Sequence, residues 1–342
     1  MIPLAIKSSG MVTNVGFNSP ASLAAIRAGI SGVRETNLWD AETGTYLQAG
    51  RVLLPHWWVG RGKLVELVAP AIYECLVAAG PTPPDEIPIL LGVSSLNRPY
   101  RFKGIDENIL TEIEYKLGIK LNSFSRIIPS GRVSGAHGIQ LARQLIEANK
   151  APCCIVAGVD SYLQQEVVEV YMQQRRILTP VNSNGFIPGE AGSAILVMPI
   201  SNHAEESLQI LGVGNSREKA IIESEEPLRG DGLTKAVRKA LKEANLNISD
   251  TSYRITDLNG EHYKFKESSF VVSRLLHKRK EELFDIWHPI EYIGEVGAAI
   301  FPIIFGLSLD AFQKGYAPGD IALCYAGNDD GERSAVIVKF KH

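Results

Sequence analysis

RIIPSGRVSGAHGIQLARQLI, residues 126–146, reads as a strand, a sharp Ser-Gly turn and an amphipathic helix. Ile139, Leu141, Ala142, Leu145 and Ile146 recur at helical spacing and give the segment from Ser134 to Ala148 one apolar face. A strand that breaks at glycine and feeds a helix presents the residue at the turn to the helix N-terminus. Unpaired backbone N–H groups and the helix dipole there favour an anion or a nucleophile. Here the residue is Arg132, whose guanidinium is permanently charged and no nucleophile. A cation at that end of a helix costs about 0.3–1 kcal/mol, so the arginine needs a partner from elsewhere in the chain.

The same alternation extends in both directions. Strand-like runs are PLAIKSSGMVT, IPILLGVSS, FSRIIPS, PCCIVAGVD and AGSAILVMPI, and PASLAAIRAG opens on Pro20 and stops at Gly29 as a short helix does. The second half offers LQILGVGNS, SYRITDLNG, LFDIWHPI, IALCYAG and SAVIVKF as strands. Its helices are DGLTKAVRKALKEANL, FKESSFVVSRLLHKRK and VGAAIFPIIFGLSLDAFQKG. Both strings run strand, helix, strand, helix, strand, helix, strand, strand. That order predicts parallel sheets covered on both faces and an internally duplicated α/β protein. The acidic, polar stretch SNHAEES divides the halves, 1–205 and 206–342.

Composition narrows the function class. With 342 residues, 21% charged and a net charge of -3, the chain lacks the basic stripe of a nucleic-acid binder. The run His277-Lys278-Arg279-Lys280 is followed at once by Glu281-Glu282 and reads as a solvated helix face. Cys75, Cys153, Cys154 and Cys324 show no metal-ligand spacing, and three of them sit in apolar strand-like runs, so buried reduced thiols and no metal are expected. The start, MIPLAIKSSGMVTNVG, lacks the basic and long apolar parts of a signal peptide. The longest apolar run, GAAIFPIIFGLSL, is too short to span a bilayer and reads as a buried helix. A cytoplasmic protein without cofactor is expected.

Several segments, in order along the whole chain, resemble the β-ketoacyl synthases of the thiolase-like superfamily. They are SSGMVTNVGFNSPASLAAIRAGISGVRE at the start, GVDSYL at 158–163, GFIPGEAGSAILV at 185–197 and IGEVGAAI at 293–300. The resemblance implies a thiolase-like five-layer αβαβα fold of two similar halves, normally a homodimer. The family transfers an acyl group to a cysteine at a helix N-terminus and then forms a carbon–carbon bond by decarboxylation. Two histidines, or a histidine and an asparagine, stabilise the enolate.

Carried over residue by residue, the family's Ala-Cys-x-Ser-Gly-Ala-His becomes Gly131-Arg132-Val133-Ser134-Gly135-Ala136-His137, which puts Arg132 in the cysteine's place. The first histidine loop corresponds to Asn259-Gly260-Glu261-His262-Tyr263, with Asn259 at the histidine position and His262 able to enter the cavity if the loop is shifted. Glu295 stands where the second histidine follows Ile-Gly. The terminal Gly-Phe-Gly-Gly loop becomes Tyr325-Ala326-Gly327-Asn328-Asp329-Asp330-Gly331. All three catalytic positions are therefore changed, and an Arg132–Glu295 ion pair is expected in the old active site. Ser130 and Ser134 are expected as helix caps and His137 as a packed residue, although Ser130, Ser134 with His137, and Asn328 are further cavity candidates. Glu190 is expected to bond backbone N–H groups. Trp57 and Trp58 are either a partner anchor or core filler, and the Tyr100–Lys103 cluster lies where such folds border their dimer interface.

The resemblance thus implies a ketosynthase scaffold that binds rather than condenses, like the inactive halves of heterodimeric synthases. Accessory proteins beside type VI secretion effectors resemble it further, which implies a homodimeric adaptor for an effector or an acyl carrier protein. The alternative is a 3-oxoacyl-[acyl-carrier-protein] synthase-like acyltransferase, or an acyl- or CoA-binding protein, with an altered site.

Overall fold

In the computed structural model, which describes residues 2–56, 58–200, 207–276 and 284–341, the two strings of elements are laid out in the same way. The first runs β1 (Leu4–Val12), α1 (Ser19–Arg27), a hairpin of β2 (Arg34–Asp40) and β3 (Thr45–Ala49), α2 (Gly60–Ala78), β4 (Ile89–Gly92) and α3 (Ile105–Leu117). It continues with β5 (Arg126–Ile128), α4 (Ser134–Glu147), β6 (Cys154–Ser161), α5 (Gln165–Gln173) and β7 (Glu190–Pro199). The second runs β8 (Ser207–Arg217), α6 (Asp231–Ala244), β9 (Tyr253–Thr256), α7 (His262–Leu275), β10 (Ile286–Trp287), α8 (Ile290–Ile293), α9 (Ile300–Gln313), β11 (Ile321–Gly327) and β12 (Glu332–Lys341).

The duplication shows in the sheet. From one edge the order is β5-β4-β6-β7-β1, and from the other β10-β9-β11-β12-β8. Counting the sheet strands of each string in chain order, both read third, second, fourth, fifth, first. The two first strands meet in the middle and pair antiparallel, with Leu4 opposite Ile210 and Ile6 opposite Leu208. The expectation of parallel sheets is corrected for part of each half. β4, β5 and β6 are parallel, as are β9, β10 and β11, but β7 and β12 run antiparallel to their neighbours. The link from β11 to β12 shows why: four residues are too few for a crossover, so the chain turns back.

Helices fill the remaining layers. α9 lies at the centre with every residue from Ile300 to Phe312 buried, beside α4, and their apolar faces join strands of both halves in one core. α2 covers the outer face of β1, β6 and β7, with α3 beside it, in a second core. α6 and α7 cover the outer face of the other half in a third. The result is five layers, αβαβα.

The hairpin, α2, α3 and α5 have no counterpart in the sequence reading. α2 has apolar Tyr73 and Val77 on its exposed side as well and carries Pro70 inside, so neither a helical period nor an uninterrupted run marks it. The boundary drawn at 205 and 206, Trp57 and the basic run at 277–280 lie outside the described residues. The four cysteines are free and buried, as expected.

The two central helices start alike. Gly131 and Gly297 take positive φ, 49° and 52°, and each opens a single tight turn before α4 or α9. At Gly297 a side chain is excluded twice, because a Cβ would also stand 2.0 Å from Oδ2 of Asp160. Gly297→Ala should therefore lower the stability to denaturant by more than the roughly 1–2 kcal/mol of the backbone strain alone. A loss below about 0.5 kcal/mol by equilibrium unfolding would show that the turn can relax.

Candidate functional site

Four segments converge at the head of α4: the turn 130–133, the loop after β9, the residues that precede α9, and the loop after β11. Arg132 is 3% exposed. Its backbone N–H donates to Oδ1 of Asn328 at 2.9 Å, and Nδ2 of Asn328 donates to the carbonyl of Ser130 at 2.7 Å. One side chain thus closes the turn and satisfies a helix-start N–H. The guanidinium Nε lies 3.1 Å from Oε2 of Glu295, an ion pair out of line with the N–H bond, and Nη1 donates to Oδ1 of Asp329 at 3.0 Å.

Glu295 is fully buried and held from three more sides. Nδ2 of Asn259 donates to it at 2.9 Å, the N–H of Gly297 donates at 3.1 Å, and Nζ of Lys264 stands 3.9 Å away. Arg132, Asn259 and Glu295, widely separated in sequence, therefore meet at one point. Burial pushes the Glu295 carboxyl up, but Arg132 and Lys264 outweigh it and bring it down to about 2. Burial likewise works against the charge on Arg132, and Glu295 with Asp329 overcomes it, so the guanidinium holds its proton more firmly than in water.

The charge network extends past these three residues. Asp329 also accepts from Nη2 of Arg176 at 3.0 Å and from the Tyr171 hydroxyl at 3.3 Å. Arg176 forks onto Glu261 with bonds of 2.7 and 3.1 Å, and Glu261 accepts from Asn259 at 3.1 Å. Lys264 pairs with Asp257 at 2.5 Å. On the far side Arg98 pairs with Asp160 and lies over the Tyr162 ring, 3.7 Å from its centre. Fork-shaped Arg–carboxylate pairs of this kind neutralise buried charge and fix geometry together.

The other expected residues fall out differently. Ser130 and Ser134 are corrected as caps: neither side chain bonds a helix-start N–H, and Oγ of Ser134 packs against Gly92 of β4 without a hydrogen-bond partner. His137 therefore has no serine to serve. It is half-buried on α4, and burial lowers its pKa against the pull of Glu332. His262 is corrected as a cavity residue: α7 begins there, its side chain is exposed, and its N–H donates to Asn184. The preceding Glu261 points inward instead. Asn328 is in the site. Glu190 accepts from the N–H of Val52 at 2.9 Å, and also from Lys63 and from Ser161 Oγ. Trp58 is about half exposed and lines a separate cavity with Lys63 and Phe102.

Sequence reasoning missed Arg98, Asp160, Arg176, Lys264 and the role of Asp329. The paired Asp329-Asp330, where the resemblance expects glycines, was the available signal.

This arrangement sits in a backbone shared with known proteins. Residues 109–203 match the family described as beta-ketoacyl synthase, N-terminal domain. The fold is the thiolase-like fold of the ketosynthases. A ketosynthase in complex with its chain length factor from Xenorhabdus doucetiae superposes with a TM-score of 0.78 at 15% identity, over 99% of this chain and 98% of that one. A beta-ketoacyl synthase from Burkholderia phymatum superposes with a TM-score of 0.76 at 15% identity over 100% of both chains. A type II PKS acyl-carrier protein complex with its ketosynthase gives 0.80 at 14% identity over 99% of both. No curated protein matches the chain in sequence. Among the described residues no helix is long and apolar enough to cross a membrane, and no group of side chains could hold a metal ion.

Two outcomes follow for Glu295. Glu295→Ala leaves Arg132 without its buried partner and should cost roughly 3–5 kcal/mol, read from chemical denaturation; an unchanged melting curve would refute the pairing. The folded pKa lies below the ordinary 4.5, so the stabilisation is complete above that value and fades as pH falls from about 4.5 to about 2. Glu295→Gln should flatten the stability–pH slope in that window and leave the slope above pH 5 unchanged.

Proposed function

We propose that this chain is a ketosynthase-fold binding protein that does not condense acyl groups. The observation that carries the reading is the head of α4. The resemblance places the acyl-accepting cysteine where Arg132 stands, and that arginine is buried in an ion pair with Glu295, which occupies a histidine position. Asn259, at the other histidine position, is a hydrogen-bond donor to the same carboxylate. No thiol substitutes for the missing one. Cys75, Cys154 and Cys324 are pushed by burial to about 12 and Cys153 to about 11, so none is a thiolate at neutral pH.

Binding then becomes the function to explain. The neighbours in complex with a chain length factor or an acyl-carrier protein support a protein partner. A carrier protein or, by the resemblance to accessory proteins, a type VI secretion effector fits that role. Self-association is part of the reading. β5 pairs with β4 on one side only among the described residues, and an open edge can pair with a second copy across a two-fold axis. Light scattering should give twice the chain mass at micromolar concentration; a monomer would remove the dimer from the proposal.

A second reading keeps the site as an altered acyltransferase or acyl-binding pocket, and a cavity of about 250 Å³ beside Arg132 favours it. Incubation with malonyl and acyl thioesters, followed by intact-mass measurement, separates the two. The binding reading expects the unmodified mass throughout and no released carbon dioxide. A stable acyl adduct or decarboxylation overturns it. Co-purification with neighbouring gene products then identifies the partner.

A further inference from the structure

A further cavity, of about 280 Å³, lies where the end of α1 meets the β10–α8 segment and α9, and it shares no lining residue with the one beside Arg132. Its wall is largely apolar. Ile26 of α1 and Leu307 of α9 are buried, and the Trp287 ring stacks on Tyr316 with the ring centres 6.1 Å apart. The volume falls just short of the range of about 300–1,000 Å³ for drug-sized ligands, which suits a small body with one apolar group.

Two charged side chains border this cavity, and both are exposed. Arg27, at the end of α1, forms no ion pair and no side-chain hydrogen bond among the described residues; its guanidinium lies over the Tyr316 ring, 5.3 Å from the centre. Glu291 meets no lysine or arginine among them; its neighbours are the Tyr292 hydroxyl and Nδ1 of His288, at 3.7 Å. Asp310, which accepts from the Tyr316 hydroxyl at 2.7 Å, is already paired with Lys314. An anion in the cavity would gain Arg27 but face Glu291, and a cation would meet the reverse. A zwitterion with an apolar body answers both charges at once.

We infer that this cavity binds a free amino acid with an aromatic side chain, its α-carboxylate towards Arg27 and its α-ammonium towards Glu291. The ring lies in the apolar part, where it adds ring–ring contacts with Trp287 and Tyr316 to the area it buries. The wall selects the side chain, and the two opposite charges select an unblocked amino and carboxyl group. The inference goes beyond the binding reading above and does not rest on it, because the cavity is separate from the head of α4 and its occupancy is reversible and independent of any protein partner.

The test titrates three probes into the full chain at pH 7: L-phenylalanine, 3-phenylpropionate, which lacks the ammonium, and 2-phenylethylamine, which lacks the carboxylate. The indole N–H signals of the four tryptophans are followed by 15N NMR, the Trp287 signal being the one lost in Trp287→Phe. Phenylalanine should shift that signal saturably, and each single-charge analogue should bind roughly threefold more weakly. Arg27→Ala should weaken phenylalanine by a similar factor and leave 2-phenylethylamine no weaker; Glu291→Gln should weaken phenylalanine and leave 3-phenylpropionate no weaker. Both substitutions are at exposed positions, so the melting curve should stay unchanged. Any of three results overturns the inference: a single-charge analogue that binds as tightly as phenylalanine, phenylalanine binding that is unchanged in either variant, or no saturable shift of the Trp287 signal with phenylalanine.

Discussion

A guanidinium set against the positive end of a helix, out of water, is tolerated only if carboxylates reach it. That requirement organises the middle of this protein. Arg132 stands at the head of α4, and the carboxylates that answer it come from the second half of the chain, Glu295 from just before α9 and Asp329 from the loop after β11. The charge therefore fastens the two halves together at the point where their central helices begin. Each carboxylate is in turn committed elsewhere, Glu295 to Asn259 and the N–H of Gly297, and Asp329 to Arg176. Removing any one member leaves its neighbours with unmatched charge, so the cluster behaves as a unit.

The duplicated fold supplies matching positions for these contacts. Where the first half ends β6, Asp160 lies against Gly297 and the start of α9; where the second half ends β11, Asn328 holds Gly131 and the start of α4. The end of each half's fourth sheet strand thus supports the other half's central helix.

Much of this could be read from the chain. Every strand of the ten-stranded sheet and the helices α6, α7 and α9 announced themselves by apolar runs and period, and the repeated element order pointed to the duplication. α2 did not, because Tyr73 and Val77 put apolar residues on its outer face beside Glu66 and Glu74, which blurs the period, and Pro70 reads as a stop. The three positions Arg132, Asn259 and Glu295 were legible because each lies in a short motif with fixed flanks. His262 was misplaced because one residue of phase at a helix start decides which side chain faces inward, and sequence does not fix that phase. Arg98 and Arg176 were silent: they sit in loops, and an arginine in a loop looks the same whether it faces solvent or a buried carboxylate.

The seam between β1 and β8 bears on how the chain acquires its shape. β1 is flanked by β7 and β8, so Leu4 pairs with Pro199 on one side and Ile210 on the other. During synthesis this strand emerges long before either neighbour exists. Its pairing with β7 waits for the end of the first half and its pairing with β8 for the start of the second, so both edges stay open until then. Such distant pairing slows folding and leaves an apolar strand exposed to wrong partners in the meantime. The seam of the two halves therefore closes on a strand that stands about two hundred residues from both of its partners.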